Sequence, residues 1–207
     1  PPMLWQGFKI STILFKIFVM SLARRLQPVS LEEYLASQRG EGQRFDFWDG
    51  TLIELEATTK NHNRIKRNLI GQIPQQILES KGCELFNENV MTQIQSRKRY
   101  VYPDIVLTCN PEDQDPLIIE FPCVIIEILS QGTAQYDRTE KFFQYQRIPS
   151  VEQCIFIAQH QLAVESFERA PNGQWLMTPL ATAADELIIP RLEHRIPLGQ
   201  IYHRITF

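Results

Sequence analysis

The chain has 207 residues, of which 43% are hydrophobic and 22% are charged, and its formal net charge is -3. This length is enough for one domain with a substantial hydrophobic core, and the composition excludes an intrinsically disordered chain. The acidic balance argues against a protein that coats nucleic acid through bulk positive charge, although an enzyme with a local basic patch is compatible with it.

The N-terminal residues 4–20 are apolar but contain two lysines. The stretch is too short and too interrupted to predict a transmembrane helix, and it lacks the small-residue cleavage site of a signal peptide. Because an ordinary-looking start begins at Met20, we predict that residues 1–19 are an extension outside the fold and that residues 20–207 form a single domain. The alternative is an amphipathic helix that packs on a partner or on a membrane surface.

Two short elements are predicted next. Ser30 begins a helix over residues 31–37, and Glu33 three positions later completes a capping box. Residues 44–56 read as a β-hairpin whose turn is the dipeptide Asp49-Gly50, which favours tight hairpin turns.

A longer helix is predicted over residues 59–80, with Pro74 expected to kink or split it. Its core-facing stripe has apolar residues four positions apart: Ile65, Leu69, Ile73 and Ile77. His62 lies in the first turn on this inward face. A single inward histidine is more often a hydrogen-bonded packing residue than a metal ligand.

A run of strands follows this helix. Residues 83–95 alternate enough for one strand, and residues 97–100 read as a polar turn. Residues 102–107 and 124–130 are apolar enough to predict two buried strands, the second being the central strand of the sheet. The acidic residues 110–116 between them are predicted to form a loop.

The last third of the chain returns to one helix and several strands. The helix is predicted over residues 134–147, and three strands are predicted over residues 152–159, 162–170 and 174–180. The tail, residues 185–205, alternates short apolar segments with prolines. Because helices and strands are grouped in this order, the pattern predicts an α+β fold.

The chain has four cysteines and none forms a CxxC pair: Cys83, Cys109, Cys123 and Cys154. Three of them lie in apolar runs, which predicts buried structural thiols in a reducing cytoplasm. A zinc site needs clustered ligands, and the sequence has no such cluster.

Two carboxylates interrupt the predicted buried strands. Asp104 begins one strand and Glu127 lies within the next, 23 residues later. Neighbouring strands lie about 4.8 Å apart, so two carboxylates at matching heights can share one hard cation such as Mg²⁺ or Mn²⁺. Asp46 in the first hairpin offers a third carboxylate.

Lys141 lies on the predicted helix after Glu127, with Asp137 four residues before it. From the spacing alone, a solvated pair is favoured over an ammonium beside a metal site. Two short basic clusters are likewise predicted to be solvated surface, although together they could contact a nucleic-acid backbone: Arg64, Lys66 and Arg67, and Arg97, Lys98 and Arg99.

Five segments in order resemble the Uma2 family: FDFWDG, NHNRI, YPDIVLTC, VIIEILSQGTAQYDRTEKFFQY and IPLGQIY. These are restriction endonuclease-like proteins of the PD-(D/E)XK nuclease superfamily, and the resemblance covers about residues 28–204. It implies a restriction endonuclease-like core, with a mixed β-sheet flanked by helices. It also implies a Mg²⁺-dependent endonuclease that hydrolyses phosphodiester bonds in DNA.

The resemblance also implies roles for particular residues. Asp104 matches the aspartate of the PD motif and Glu127 the glutamate of the next strand, and both would bind the metal. Asp46 matches the first acidic position, where the family more often has glutamate. His62 matches a recurrent family position and is an auxiliary candidate.

The superfamily lysine that normally follows the glutamate by two positions is replaced here by Leu129. The family pattern instead assigns that role to a lysine of the following helix, which matches Lys141. The alternative to an active enzyme is a catalytically inactive nuclease fold that serves as a nucleic-acid-binding or structural module. A homodimer is plausible because cutting two strands favours two sites related by a two-fold axis. We expect neither an organic cofactor nor membrane association.

Overall fold

The computed structural model describes residues 28–38, 44–55, 58–87, 90–95, 98–130, 132 and 134–207. Its helices are α1 (Leu31–Gln38), α2 (Lys60–Gly71), α3 (Gln75–Lys81), α4 (Ala134–Tyr136), α5 (Phe142–Tyr145) and α6 (Leu198–Ile201). A π-helical turn, Asp137–Lys141, joins α4 directly to α5, and a 3-10 turn covers Pro190–Leu192. The predicted helix over residues 134–147 is therefore one continuous helical segment with a wider turn in its middle.

Thirteen strands are present in the described residues: β1 (Phe45–Trp48), β2 (Thr51–Glu54), β3 (Glu84–Asn87), β4 (Met91–Gln95), β5 (Arg99–Val101), β6 (Ile105–Thr108), β7 (Ile118–Ile119), β8 (Pro122–Leu129), β9 (Gln153–Ala158), β10 (Val164–Arg169), β11 (Trp175–Leu180), β12 (Glu186–Ile189) and β13 (His194–Pro197). The first sheet has the order β2-β1-β5-β4-β7, and the second has the order β11-β10-β9-β8-β6-β3. Strands β12 and β13 form a separate pair. Parallel pairs occur at β8-β9 and β4-β7, so both larger sheets are mixed and the fold is α+β.

Two predicted strand boundaries are wrong. The strand expected over residues 83–95 is two strands, with β3 in the second sheet and β4 in the first. The polar turn expected over residues 97–100 instead leads into β5, where Tyr100 and Val101 are buried. The alternation in the sequence indicates extended backbone but does not reveal which sheet a segment joins, and neither β3 nor β4 has an alternating burial pattern.

The predicted elements at the start of the fold are confirmed. Glu33 accepts a hydrogen bond from the Ser30 backbone N–H at 2.9 Å, and its own N–H donates to Ser30 Oγ at 3.2 Å. Asp49 and Gly50 both have positive φ, at 48° and 89°, as the two central residues of a tight hairpin turn require.

The long helix divides at Pro74 into α2 and α3, as expected. Ile65 and Leu69 are fully buried and Ile73 is nearly so, so the predicted stripe does face the core. The core beneath α2 and α3 is formed largely by one face of β8 together with β6 and β9. The opposite face of β8 packs against residues of the α4–α5 segment.

The interpretation of all four cysteines as free thiols is wrong for one pair. Cys83 and Cys109 form a disulfide, whereas Cys123 and Cys154 are free and buried. The antiparallel pairing of β3 with β6 matches Glu84 with Thr108, and therefore brings the two flanking cysteines opposite each other. The sequence did not reveal this, because the pairing joins segments that are distant along the chain.

The predictions for residues 1–19 and for an amphipathic helix there lie outside the described residues. Among the helices of the described part, none has the length and apolar character needed to cross a membrane.

Candidate active site

Asp104 and Glu127 meet because β6 and β8 are adjacent and antiparallel. Ile105 pairs with Ile126, which brings Asp104, just before β6, opposite Glu127. The backbone N–H of Asp104 donates to Glu127 Oε2 at 3.4 Å. The Glu127 side chain is 5% exposed and that of Asp104 is 14% exposed, so the pair lies just beneath the surface.

Both carboxylate oxygens of Asp104 have partners. Oδ2 accepts a hydrogen bond from the Ile128 backbone N–H at 2.8 Å, and Oδ1 lies 2.7 Å from His62 Nε2. His62 is held in turn by the N-cap of α2, where Thr59 Oγ1 accepts its backbone N–H at 3.1 Å. The expected inward orientation of His62 is therefore confirmed, and its contact is with a candidate metal ligand.

Glu127 is held by two donors on the same oxygen. Its Oε1 accepts hydrogen bonds from Tyr145 Oη at 2.6 Å and from Lys141 Nζ at 3.1 Å. Burial raises the pKa of Glu127 to about 8, while the Lys141 ammonium and the Tyr145 hydroxyl act in the opposite direction. Because both donors use Oε1, the other oxygen is left to face Asp104.

The Lys141 ammonium lies among three carboxylates, at 3.1 Å from Glu127, 3.4 Å from Asp137 and 3.9 Å from Asp46. Burial alone would lower the pKa of Lys141, but the Glu127 and Asp137 carboxylates more than offset it and hold the pKa well above its usual value. Lys141 is therefore a buried cation at neutral pH.

The interpretation from spacing alone, that Asp137 and Lys141 form a solvated pair, is wrong. Their side chains are only 6% and 10% exposed. Both belong to the π-helical turn, in which an extra residue per turn widens the helix, and such turns often occur at functional sites. Tyr145 lies four residues beyond Lys141, so the three polar side chains follow one another along a single helical face.

Asp46 reaches the site from the first sheet. It lies on β1, is 2% exposed, and accepts the Tyr102 backbone N–H at 2.9 Å. Burial raises the pKa of Asp46 to about 6, although Lys141 and the Tyr102 N–H oppose this rise. The site therefore lies where the two sheets and the α4–α5 segment meet.

The structure thus brings together Asp46, Asp104, Glu127 and Lys141, with His62 attached through Asp104. Sequence reasoning missed Asp137 and Tyr145 as buried members of the site. The available signal was their spacing on one helix, since Asp137 lies four residues before Lys141 and Tyr145 lies four residues after it. It also missed Lys66, which is 5% exposed rather than solvated. Burial lowers the pKa of Lys66, and the Asp104 carboxylate opposes this effect.

The donor chemistry fits a hard divalent cation better than a soft one. Within the described residues, no three His, Cys, Asp or Glu side chains converge on one point as a metal cage would require. Two carboxylates are nevertheless enough for Mg²⁺, which usually completes its coordination with waters and substrate phosphate oxygens. Asp104 and Glu127 would hold such an ion.

The fold is restriction endonuclease-like. The chain superposes on the crystal structure of "a putative nuclease belonging to DUF820 from Anabaena variabilis" with a TM-score of 0.69 at 14% sequence identity. The match covers 86% of this chain and 100% of that chain, and at this identity it shows a shared fold.

The Uma2 family, described as "Putative restriction endonuclease", matches residues 31–197, so the chain belongs to this family. Its relatives include two proteins of Synechocystis sp., both named as uncharacterized. One, slr1290, is 27% identical over 180 residues, which cover 86% of this chain and 94% of the relative. The other, sll1609, is 30% identical over 164 residues, which cover 78% and 92%. The family resemblance seen in the sequence is thereby confirmed.

Proposed function

We propose that this protein is a metal-dependent endonuclease that hydrolyses phosphodiester bonds in DNA, with Mg²⁺ or Mn²⁺ held by Asp104 and Glu127. The observation that carries the proposal is the pairing of these two carboxylates across adjacent strands beside a buried lysine. Membership of a family described as restriction endonucleases supports a nuclease activity and a nucleic-acid substrate.

When bound, the cation would activate a water molecule and stabilise negative charge on the phosphate. The protein's own residues prepare the ligands for it. Ile128 N–H and His62 fix the Asp104 carboxylate from two sides. Tyr145 and Lys141 fix Glu127 through one oxygen, so the other is oriented toward Asp104.

Lys141 has two roles in this proposal. Its charge lowers the pKa of Glu127 from the value that burial alone would give, which makes the carboxyl easier to ionise, as metal binding requires. Its ammonium would also position the nucleophilic water when substrate enters. Asp46 and Asp137 assist by holding that ammonium in place, at 3.9 and 3.4 Å.

A second candidate function is a catalytically inactive nuclease fold that binds nucleic acid or serves as a structural module. The observation in its favour is that Leu129 replaces the usual lysine of the E-x-K motif. In addition, Lys141 is already engaged by three carboxylates, so its availability to a water depends on rearrangement when substrate binds.

Metal binding separates the two functions. We would titrate Mg²⁺ and Mn²⁺ by calorimetry into the wild type and into the double variant Asp104→Asn with Glu127→Gln, which keeps the side-chain volumes. Loss of binding only in this variant supports the enzyme, and cleavage of plasmid DNA should be lost in parallel. Exposed carboxylates of the 110–121 segment provide a control with the same charge change, Glu112→Gln with Glu120→Gln.

Wild-type protein that binds neither metal, even with a DNA oligonucleotide present, would contradict the enzymatic proposal and favour the binding module. Wild-type protein that binds metal but leaves plasmid and single-stranded DNA intact would contradict DNA cleavage specifically. The expected homodimer and cytoplasmic location remain predictions, and light scattering in solution would test the first.

A further inference from the structure

Three cysteines meet at the end of β6 and β8 that lies away from the carboxylates. Cys83 and Cys109 are joined in the disulfide, and the free thiol of Cys123 lies 3.4 Å from Cys109 Sγ. Cys83 and Cys123 are buried, at 4% and 3% exposure, whereas Cys109 is partly exposed. A third sulfur in contact with a disulfide is the arrangement that thiol-disulfide exchange requires.

A β-bulge places Cys123 in this position. Leu107 pairs with Val124, but the next residue of β6, Thr108, pairs with Pro122. Cys123 is therefore the extra residue of β8, without an opposite partner on β6 in this register. Bulges re-aim side chains, and here the bulge coincides with the contact between the Cys123 and Cys109 sulfurs.

The thiol proton of Cys123 also has a partner of its own. Cys123 Sγ lies 3.3 Å from the Leu107 carbonyl oxygen, to which it can donate. With the S–H bond directed at that carbonyl, the lone pairs of the sulfur are left to face Cys109. Cys109 Sγ thus has two sulfur neighbours. It is bonded to Cys83 Sγ, and Cys123 Sγ could take the place of Cys83.

We propose that Cys83, Cys109 and Cys123 form an internal disulfide relay, in which Cys109 exchanges its partner between Cys83 and Cys123. The Cys123 thiolate attacks Cys109 Sγ, a new bond forms between these sulfurs, and the bond to Cys83 breaks. The electron pair leaves on Cys83, which takes up the proton that Cys123 released. One disulfide and one thiol are present before and after the step, so no oxidant or reductant is needed.

The environment makes the exchange slow but keeps it internal. Burial raises the pKa of Cys123 to about 11, with the Arg191 guanidinium acting against this rise and Glu152 adding to it. Since the thiolate is the attacking species, only a small fraction of molecules is reactive at neutral pH. Because Cys83 and Cys123 are buried and Cys109 is partly exposed, Cys123 meets Cys109 more readily than it meets a soluble thiol.

The two alternative disulfides would tie together different parts of the fold. The Cys83–Cys109 bond ties the turn after α3 to the end of β6, whereas a Cys109–Cys123 bond would tie β6 to β8. The relay stands on the three sulfurs and does not depend on the proposed nuclease function.

The test is a time course on the full-length chain, purified without reductant and treated with oxidised glutathione. Samples are quenched in acid, denatured, labelled with N-ethylmaleimide at acidic pH and mapped by mass spectrometry. Label on Cys123 reports the Cys83–Cys109 bond, and label on Cys83 reports the exchanged bond. Because the exchange itself needs no oxidant, we expect label on Cys83 in a constant fraction of wild-type molecules, both before the treatment and throughout it.

Two variants each leave only one of the two alternative disulfides possible. Cys83→Ser should form the Cys109–Cys123 disulfide in most molecules, and Cys123→Ser should retain only Cys83–Cys109. Cys154→Ser is the matched control, because Cys154 is a free buried cysteine that packs in the other core cluster. This substitution should leave the distribution of bonds unchanged, and circular dichroism would verify that each variant is folded.

Three results would each overturn the relay. The first is wild-type protein in which Cys83 is never labelled, or in which Cys83, Cys109 and Cys123 are all labelled. The second is folded Cys83→Ser protein whose Cys109 and Cys123 both take the label. The third is any disulfide that includes Cys154, since it would show exchange in unfolded molecules. If Cys83→Ser does not fold, the wild-type time course alone decides.

Discussion

The two faces of β8 are about equally buried but differ in chemistry. Beyond the bulge at Cys123, one face presents aliphatic side chains to the core beneath α2 and α3: Val124, Ile126 and Ile128. On the opposite face, Glu127 lies between Ile125 and Leu129 and is 4% exposed. A single strand therefore supplies both a closed apolar core and the centre of the candidate site.

The difference shows which face stabilises the fold. Aliphatic burial contributes about 25 cal/mol for each Å² removed from water, whereas an isolated buried carboxylate is strongly destabilising. Glu127 is tolerated because the α4–α5 segment supplies Lys141 and Tyr145 as donors. The polar face is thus maintained at a cost in stability that the apolar face offsets, which is the pattern expected of a functional site.

The largest expected effect comes from removing the buried cation of the polar face. Lys141→Met should lower the free energy of unfolding by about 4 kcal/mol at pH 8, because removing one partner of a buried pair leaves carboxylates without compensation. Urea denaturation in EDTA would measure it. Arg138→Met is the matched control on the same helical turn, because its ion pair with Glu165 is about one-third exposed and should contribute less than about 1 kcal/mol. Equal losses in the two variants would contradict the distinction between a buried cluster and a surface pair.

The next effect compares the apolar residues of the two faces. Ile126→Ala should destabilise the protein by about 3 kcal/mol through lost burial and a residual cavity. Ile125→Ala, on the face that carries Glu127, should cost a similar amount because both residues are almost fully buried. A much smaller loss for Ile125→Ala in the same urea experiment would mean that the polar face is loosely packed.

The pH dependence of stability should come mainly from the polar face. Burial raises the pKa of Glu127 from its ordinary 4.5 to about 8, and that of Asp46 from 3.8 to about 6. In each case the folded state retains a proton that the unfolded chain releases. This stabilisation is complete below the unfolded pKa and is lost as the pH rises through the folded pKa.

Without metal, the wild type should therefore lose stability between pH 6 and pH 8, by up to about 1.4 kcal/mol for each pH unit. Glu127→Gln should flatten this slope, because the Asp46 contribution is lost mostly below that window. Urea midpoints at pH 6, 7 and 8 in EDTA would measure both proteins. A slope that is unchanged in Glu127→Gln would assign the pH dependence to other groups.

Sequence reasoning succeeded where local patterns decide the structure. The capping box at Ser30, the turn at Asp49-Gly50 and the division at Pro74 depend on neighbouring residues, and all three are confirmed. Family resemblance correctly predicted the fold, and it selected Lys141, which proves to lie among the carboxylates. Spacing alone had favoured a solvated Lys141.

The predictions failed where distant segments determine the outcome. The disulfide of Cys83 depends on the pairing of β3 with β6, which no local pattern encodes. The burial of Asp137 depends on how the α4–α5 segment packs against two sheets, and a charged residue four positions from a lysine is usually solvated. Tertiary packing, rather than local propensity, explains both errors.

The smallest expected effect comes from removing the hydrogen bond that Tyr145 donates to Glu127. At pH 9, where Glu127 is ionised, Tyr145→Phe removes the hydroxyl that donates to Glu127 Oε1 and should cost about 2 kcal/mol, since hydrogen bonds to charged groups exceed neutral ones. Tyr34→Phe is the matched control, because Tyr34 is equally buried but donates to the Phe45 carbonyl oxygen at 2.9 Å. It should cost about 1 kcal/mol.

Calorimetry with Mn²⁺ adds a second measurement, because only Tyr145→Phe frees the Glu127 carboxylate to turn away from Asp104. We expect weaker metal binding in Tyr145→Phe and unchanged binding in Tyr34→Phe. Equal affinities in the two variants would mean that Lys141 alone orients Glu127.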